Sequence, residues 1–244
     1  MSAQELFPEG WKEARRILVI LAHPDDPEFF CGAAIARWTA AGHEVRYALL
    51  TRGDKGVKEQ PADPQELIAR RCAEQRAAAA ILGVQSIRYL DFEDGYLVPD
   101  LETRRQVVRV LRQERPDVVV TCDPTHFFFS ENYINHPDHR AAGQVVMDAV
   151  FPAAGNPMFF PELLQEGLLP CAVREVWFSL PAQPNVQLDV TQTWELRLRA
   201  LQEHRSQVGD DLMAFDQRQR SFHTSDSTPD MPRYEHSFRR VVFR

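Results

Sequence analysis

A short stretch of the sequence carries more titratable side chains than a simple turn needs. Residues 22–28 read Ala-His-Pro-Asp-Asp-Pro-Glu, between an apolar run at 17–21 and a helix-like run at 33–41. A turn that only reverses the chain favours Gly, Asn or Ser. Neighbouring carboxylates also repel one another unless a cation or a reaction uses them. We therefore expect this strand-to-helix turn to be functional.

A second titratable cluster lies at 136–139, which reads His-Pro-Asp-His and follows an aromatic loop at 123–135. Together the clusters offer two imidazoles and a carboxylate as metal ligands, namely His23, His139 and Asp26. With one position left for water, this is the ligand set of a catalytic zinc site. The same set could hold Fe(II) or another divalent ion.

The remaining polar side chains of the clusters have candidate catalytic roles. Asp25 could accept a proton from a metal-bound water, and His136 could face the developing oxyanion or protonate the leaving group. Asp138 could hold one ring nitrogen of His136. Plainer interpretations exist: a single His-x-x-His pair is weak evidence for a metal, and Asp25 and Asp26 could only favour the helix N-terminus. Glu28 fits that helix role best.

Regularly alternating elements must bring the two clusters together. The helices end near residues 41, 82, 115 and 150, and apolar, β-branched segments typical of buried strands lie at 17–22, 45–51, 87–90 and 117–122. This alternation predicts an α/β fold with a Rossmann-like, doubly wound, mostly parallel sheet in three α/β/α layers. In such sheets the first and fourth strands are neighbours, and ligands bind at their carboxyl ends. The clusters at 22–28 and 136–139 should therefore meet.

The rest of the chain is less regular. The loop at 52–58 offers Arg52 and Asp54 for a polar ligand, or is only a flexible connector. A Pro-rich segment at 151–172 is typical of a packed or partner-facing loop. We expect one domain over residues 1–244, with a core at about 15–207 and a C-terminal extension at 208–244 of uncertain structure. Later elements are a strand at 173–180, a helix at 193–207, no fixed structure at 208–233 and an edge strand at 239–243.

Composition excludes several classes of protein. A net charge of -7 and the absence of a Lys/Arg-rich stretch argue against nucleic-acid binding. The Arg pairs at 70–71 and 104–105 are interleaved with acids and are interpreted as solvated helix faces. No apolar stretch approaches the roughly 20 residues that span a bilayer, and no signal-peptide core is present. Four widely spaced cysteines predict buried, reduced thiols and a cytoplasmic protein: Cys31, Cys72, Cys122 and Cys171.

The two motifs, Ala-His-Pro-Asp-Asp-x-Glu after the first strand and His-Pro-Asp-His after the fourth, resemble those of the LmbE/PIG-L family of zinc-dependent N-deacetylases. The resemblance covers about residues 15–150 and extends weakly to 207. It implies a Rossmann-like fold and hydrolysis of the acetamide of an N-acetylglucosamine-type amino sugar or glycoconjugate. It also implies trimers or hexamers. The matching positions make His23, Asp26 and His139 the metal ligands, Asp25 the general base and His136 the group that stabilises the tetrahedral intermediate.

Two further residues enter through the resemblance or through their place beside the motifs. The stretch at 200–207 also resembles a family segment, so that His204 either lies near the pocket or is a core or helix-surface histidine. Tyr133 could add a hydroxyl to the oxyanion site. The chain departs from the family in its aromatic loop at 126–133 and its Pro-rich segment at 151–170, which would shape the pocket rim.

Two other functions compete with the deacetylase. A metal-binding or assembly module without catalysis would use the aromatic and Pro-rich segments as a partner surface. A nucleotide-dependent Rossmann enzyme would need a Gly-x-Gly-x-x-Gly turn, which is absent, and acids occupy the helix start where a pyrophosphate would bind.

Overall fold

A single mixed sheet organises the chain in the computed structural model, which describes residues 9–56, 63–228 and 230–243. The strands of the described residues are β1 (Arg16–Leu21), β2 (Glu44–Thr51), β3 (Ser86–Phe92), β4 (Val118–Cys122), β5 (Phe128–Ser130), β6 (Tyr133–Ile134), β7 (Glu175–Ser179), β8 (Val186–Asp189) and β9 (Glu235–Val242). The beginning of the polar lead-in, Val57 and Lys58 of the polar loop, Pro229 and Arg244 lie outside the described residues.

Helices cover both faces of the sheet. They are α1 (Asp26–Ala40), α2 (Pro64–Ile81), α3 (Leu101–Glu114), α4 (Pro137–Asp148), α5 (Glu162–Gln165), α6 (Trp194–Glu203), α7 (Arg205–Val208) and α8 (Leu212–Arg220). Because side chains alternate along a strand, Ile17 and Val19 of β1 join the core under α1, α2 and α6, whereas Leu18 and Ile20 join the core under α3 and α4. The three-layer arrangement is the one predicted.

The strand order places the two titratable clusters side by side. The order is β3-β2-β1-β4-β7-β9-β8, and β1 pairs in parallel with both β2 and β4. Both β1 and β4 therefore end at the same edge of the sheet, and the turn after β1 meets the loop after β4. The Rossmann-like, mostly parallel sheet is confirmed, and among the described strands antiparallel pairing is confined to β9 with β7 and β8 and to the small β5–β6 hairpin.

The C-terminal part of the chain differs from the prediction. The last strand, β9, is not an edge strand, because it lies between β7 and β8, and the unpredicted β8 forms the edge instead. Residues 208–233 contain a helix, α8, although no fixed structure was expected there. Only two of its side chains, Phe215 and Gln219, are buried, so its apolar pattern is too sparse to see in the sequence.

The Pro-rich segment is packed only in part: Ala153, Ala154, Leu163 and Cys171 are buried, whereas Phe151 and Met158 are exposed. It begins with a π-helical turn at Ala149–Ala154, whose carbonyl groups at residues 153 and 154 accept hydrogen bonds from the buried Arg112 guanidinium. The four cysteines are free and buried. Among the described residues, no helix combines the length and the apolar character needed to cross a bilayer.

Candidate metal centre and active site

The turn between β1 and α1 has a strained backbone that α2 holds in place. Asp25 has a φ of 91°, which is uncommon for a residue other than glycine. Its N–H donates to Oε1 of Gln75 at 2.8 Å, and the carbonyl of Pro24 accepts from Arg71 Nη2 at 2.6 Å. Strain of this kind persists where surrounding contacts over-determine it, typically at functional sites.

Asp26 lies between the two imidazoles predicted as its fellow ligands. Its Oδ2 is 3.4 Å from Nδ1 of His23, and its Oδ1 is 3.1 Å from Nε2 of His139. Ligand atoms bound tetrahedrally to zinc at about 2.0–2.1 Å lie about 3.3 Å apart. Each of the two contacts has about this spacing, and each uses a different oxygen of Asp26, so that the carboxylate links the two imidazoles.

The other nitrogen of each imidazole faces an oxygen acceptor. Nε2 of His23 lies 3.1 Å from Asp94 Oδ1 and 3.3 Å from Asp138 Oδ2. Nδ1 of His139 lies 3.0 Å from Oδ1 of Asn135. Metal-binding histidines almost always donate their second N–H in this way, since the contact fixes the tautomer and the ring orientation.

Among the described residues, two groups of three side chains have ligand atoms that all lie within 4.8 Å of one another, and neither group includes Asp26. One is His23, His136 and His139, and the other is His23, Asp94 and Asp138. In the second group both carboxylates face the same nitrogen of His23, and Asp138 also accepts from the backbone N–H groups of residues 95 and 97. These carboxylates are placed as acceptors for His23 rather than as a separate ligand set.

The carboxylates around His23 favour a positive charge at this point. Burial alone would lower the pKa of His23, but Asp26, Asp138 and Asp94 raise it well above its ordinary value. In return, although burial opposes its ionisation, His139 and His23 hold the pKa of Asp26 far below its usual range. A proton or a divalent cation can supply this charge.

Asp25 stands beside the ligands without contacting the imidazoles. Its carboxylate lies 3.3 Å from Arg71 Nη2. Burial raises its pKa to about 6, the Arg71 guanidinium opposes that rise, and the neighbouring Asp26 carboxylate adds to it. Asp25 therefore has the surroundings of a carboxylate that can take up a proton near neutral pH.

His136 closes the site from the start of α4. Its ring centre is 4.8 Å from that of His23 and 5.3 Å from that of His139. Its Nδ1 accepts the backbone N–H of Asp138 at 3.2 Å and so caps the helix. The neutral ring therefore carries its proton on Nε2, and burial lowers the pKa of His136. Nε2 is left as a donor.

Asp138 differs from its expected role. Its carboxylate was expected to hold a ring nitrogen of His136, but it contacts Nε2 of His23 and the backbone of residues 95 and 97 instead. The reason is that the Nδ1 of His136 is already used by the backbone N–H of residue 138 itself. Asp138 therefore orients a candidate ligand rather than the candidate oxyanion donor.

Glu28 and His204 form a buried pair away from solvent, which corrects two expectations. Glu28 does more than favour the helix N-terminus, because it is fully buried and accepts from Tyr47 Oη, Gln75 Nε2 and His204 Nε2 at 3.0–3.1 Å. His204 has 0% of its side chain exposed. Burial alone would lower its pKa, but Glu28 raises it. His204 is thus the core histidine of the two alternatives and cannot touch a substrate.

The other candidate substrate residues have contacts or exposures of their own. Arg52 pairs with Asp91, and its guanidinium lies over the ring of Tyr89. Asp54 accepts the backbone N–H of Asp94 at 3.0 Å and thereby supports the loop that reaches His23. Tyr133 is exposed on the β5–β6 hairpin. The structure does not bring Arg52 or Tyr133 into contact with the candidate ligands.

Four residues at the site were not singled out from the sequence. Asp94 follows β3 in an acidic loop, and its place at a strand's carboxyl end was the available signal. Arg71 was interpreted as part of a solvated face, but only 3% of it is exposed, because it reaches under the turn to Pro24 and Gly53. Gln75 and Asn135 carry no signal that one sequence can reveal.

Comparison with known proteins agrees with the family that the two motifs resemble. Residues 18–150 match the sequence model of the family described as PIG-L: GlcNAc-PI de-N-acetylase. The chain is 37% identical over 204 residues to the diacetylchitobiose deacetylase of Thermococcus kodakarensis, covering 84% of this chain and 74% of that one. The solved N,N'-diacetylchitobiose deacetylase of Pyrococcus horikoshii superimposes with a TM-score of 0.84 at 31% identity, over 99% of this chain and 88% of that one.

A more distant structure shares the fold of this chain but does not bear on its chemistry. The 4-carboxy-2-hydroxymuconate hydratase GalB of Pseudomonas putida superimposes with a TM-score of 0.68 at 22% identity, over 94% of this chain and 97% of that one. At that identity the likeness concerns the fold alone. The chemistry must be argued from the site.

Proposed function

Because the chain belongs to the PIG-L family, whose members similar to it are N-deacetylases, we propose that it is a zinc-dependent hydrolase that removes the acetyl group from an N-acetylglucosamine-type sugar. The bond broken is the amide C–N bond, and the products are acetate and the free amine. The proposal assigns the metal to His23, Asp26 and His139, the general base to Asp25, and the oxyanion donor to His136.

One observation supports this proposal above the others. The Asp26 carboxylate lies 3.1 and 3.4 Å from one nitrogen of each imidazole, and the second nitrogen of each ring faces an oxygen acceptor. If the proton of each neutral ring lies on the nitrogen that faces this acceptor, both rings turn a lone pair towards the Asp26 carboxylate, and a divalent cation would fill the space between them.

The chain's own residues can carry the proton transfers of amide hydrolysis. A divalent ion bound here would acidify a water molecule and polarise the amide carbonyl. Asp25 would take the proton of the attacking water and later return that proton to the leaving nitrogen. His136 can donate Nε2–H to the oxygen that becomes negative in the tetrahedral intermediate. Asp94 and Asp138 keep His23 in one orientation.

The substrate proposed is a small N-acetylated amino sugar or glycoconjugate. The relatives from T. kodakarensis and P. horikoshii are diacetylchitobiose deacetylases by name, so a short N-acetylglucosamine oligosaccharide is the first candidate. Exposed aromatic residues of the β5–β6 hairpin stand next to His136 in the chain, and they offer ring faces to a sugar at the rim: Phe127, Phe128 and Tyr133.

The proposal extends to location and assembly. We infer a cytoplasmic homo-oligomer, a trimer or hexamer, as the family resemblance implies. Four free, buried cysteines are compatible with a reducing compartment. Exposed apolar side chains such as Phe151 and Met158 form a surface that a second copy of the chain would bury on association. Light scattering on the purified protein measures the mass of the assembly directly.

Metal analysis combined with a substrate screen tests the function. We expect the purified protein to contain close to one zinc per chain and to release acetate from one or more N-acetylglucosamine derivatives. Removal of the metal by a chelator should abolish acetate release, and added Zn²⁺ should restore it. Undiminished turnover in metal-free protein would refute the proposal, whereas metal binding without any turnover would favour the non-catalytic module.

A further inference from the structure

A buried asparagine stands between the aromatic hairpin and the candidate metal ligand His139. Asn135 directly precedes the helix-capping His136, and only 2% of it is exposed. Its Oδ1 lies 3.0 Å from Nδ1 of His139, and its Nδ2 donates to the backbone carbonyl of His126 at 2.7 Å. The amide oxygen of Asn135 therefore faces His139, and its amide nitrogen faces the backbone carbonyl of His126.

We propose that Asn135 is a positioning residue that fixes the tautomer of His139. Its hydrogen bond to the backbone carbonyl of His126 fixes the orientation of the Asn135 amide. The inference rests on the proposed metal centre, which assigns His139 as a ligand. It concerns a residue outside the ligands and the acid–base groups, and it acts through His139 rather than on the substrate.

The backbone carbonyl determines which way the amide points. A carbonyl oxygen can only accept hydrogen bonds, so the group of Asn135 that faces His126 must be the NH₂ group. Oδ1 is then the atom that faces His139, and it too can only accept. The proton of the neutral His139 ring must therefore be on Nδ1, which leaves the lone pair of Nε2 directed at Asp26, 3.1 Å away.

The main chain of Asn135 is held as firmly as its side chain. Its N–H donates to the carbonyl of Phe127 at 2.8 Å, and its carbonyl accepts from Arg140 Nη1 at 2.6 Å. The Arg140 guanidinium also lies over the ring of Phe127. Because backbone and side chain are both fixed, the amide cannot rotate to present its NH₂ group to His139 without losing the bond to His126.

The two candidate histidine ligands thus have different supports. Carboxylates hold His23, whereas a neutral amide holds His139. A neutral acceptor orients the ring without adding another negative charge to a site that already contains Asp25, Asp26, Asp94 and Asp138. Loss of a contact of this kind typically weakens metal binding about 10- to 100-fold.

Three variants separate this role from a structural one. Asn135→Leu removes both polar ends of the side chain. Asn135→Asp keeps an acceptor for His139 but removes the donor to the His126 carbonyl. Asn132→Leu makes the same exchange in the β5–β6 turn, where the side chain is exposed and has no contact with His139.

Zinc affinity is measured on the metal-free proteins by competition with a chromophoric chelator, alongside thermal unfolding. We expect Asn135→Leu to bind Zn²⁺ about 10- to 100-fold more weakly than the parent chain. Asn135→Asp should recover most of that loss, and Asn132→Leu should bind like the parent. If Asn135 only anchored the hairpin, the Asp variant would be impaired as much as the Leu variant.

Several results would overturn the inference. Equal zinc affinity of Asn135→Leu and the parent chain would do so, as would equal losses in the Leu and Asp variants. If Asn135→Leu does not fold, the tautomer can be read in the zinc-loaded parent chain by long-range proton–nitrogen NMR, and a proton on Nε2 of His139 would be decisive against it. A parent chain that binds no zinc would instead refute the proposed function itself.

Discussion

At the scale of single residues, neighbouring side chains of the same type have different roles because their surroundings differ. Asp25 and Asp26 are adjacent in the sequence, yet burial raises the pKa of Asp25 to about 6, whereas two imidazoles hold that of Asp26 far below its usual range. A carboxylate of the first kind can exchange protons near neutral pH, and one of the second kind remains an anion that can bind a cation.

The buried pair of Glu28 and His204 gives a prediction about stability at this scale. His204→Leu leaves the Glu28 carboxylate buried with one donor fewer, so the free energy of unfolding should fall by about 3–5 kcal/mol. The matched control is His223→Leu, at an exposed histidine, which should change it by less than about 0.5 kcal/mol. Denaturant unfolding measures both. A loss below about 1 kcal/mol for His204→Leu would show that the pair does not stabilise the fold.

The sequence was sufficient to identify the candidate ligands and Asp25, since each belongs to one of two short motifs. It did not reveal Arg71, Gln75 or Asn135, because such residues act through hydrogen bonds to the backbone of a distant segment. Only the packing of α2 and of the hairpin brings those groups together. Asp138 lies within a motif, but the prediction that its carboxylate holds a ring nitrogen of His136 was wrong. Nδ1 of His136 instead accepts the backbone N–H of Asp138 at the start of α4.

At the scale of elements, α4 carries His136 and His139 and must lie close to the end of β4. Gly143 makes this possible, since a Cβ at its position would be 2.3 Å from the carbonyl oxygen of Cys122 and 2.9 Å from the nitrogen of Pro124. These are backbone atoms, which cannot move aside as a flexible side chain can. The helix can therefore present both histidines to the turn after β1 only because residue 143 has no side chain.

This close contact predicts that Gly143→Ala displaces α4 and the histidines at its start. We expect a loss of about 1–3 kcal/mol in the free energy of unfolding and weaker zinc binding. Gly155→Ala is the control, because its Cβ would meet only an ordinary contact of 3.5 Å with Cys171. Thermal unfolding and zinc titration measure the effects, and a Gly143→Ala protein that matches Gly155→Ala in both would contradict this explanation.

Element prediction from the sequence succeeded where apolar patterns are strong and failed where they are sparse. The β-α alternation up to residue 150 was predicted closely, and Asp100 caps α3. The edge strand β8 was missed because Leu188 is its only buried side chain. The place of β9 inside the sheet depends on that missing strand, so the error in one element produced the error in the other.

At the scale of the whole molecule, the sheet joins the distant parts of the chain into one framework. The candidate ligands come from the ends of β1 and β4, and β9 extends the same sheet from the C-terminal part through β7. On β9, His236 faces α6, where its ring lies 5.8 Å from that of Trp194. Its buried Nδ1 has no hydrogen-bond partner. Burial, together with the charge of Arg197, lowers the pKa of His236 to about 3.

This buried neutral histidine predicts acid sensitivity of the fold. Below the ordinary pKa of about 6.5, the unfolded chain binds a proton at His236 that the folded chain does not bind until about pH 3, so stability present above 6.5 is lost as the pH falls. Relative to that of the His236→Phe variant, the free energy of unfolding of the parent chain should fall by up to about 1.4 kcal/mol for each pH unit below 6. Denaturant unfolding from pH 7 to 5 measures this difference, and parallel curves for the two proteins would contradict it.

The adjacent carboxylates of the turn test the central claim most directly, because they differ in proposed role but not in chemistry. Asn, like Asp, is among the residues other than glycine that most often adopt a positive φ, so Asp25→Asn should fold and keep its zinc while acetate release falls by about 100-fold or more. Asp26→Asn should instead lose zinc along with its turnover. The measurement is zinc content and acetate release on the same samples. Loss of zinc in Asp25→Asn, or full zinc and activity in Asp26→Asn, would contradict the account.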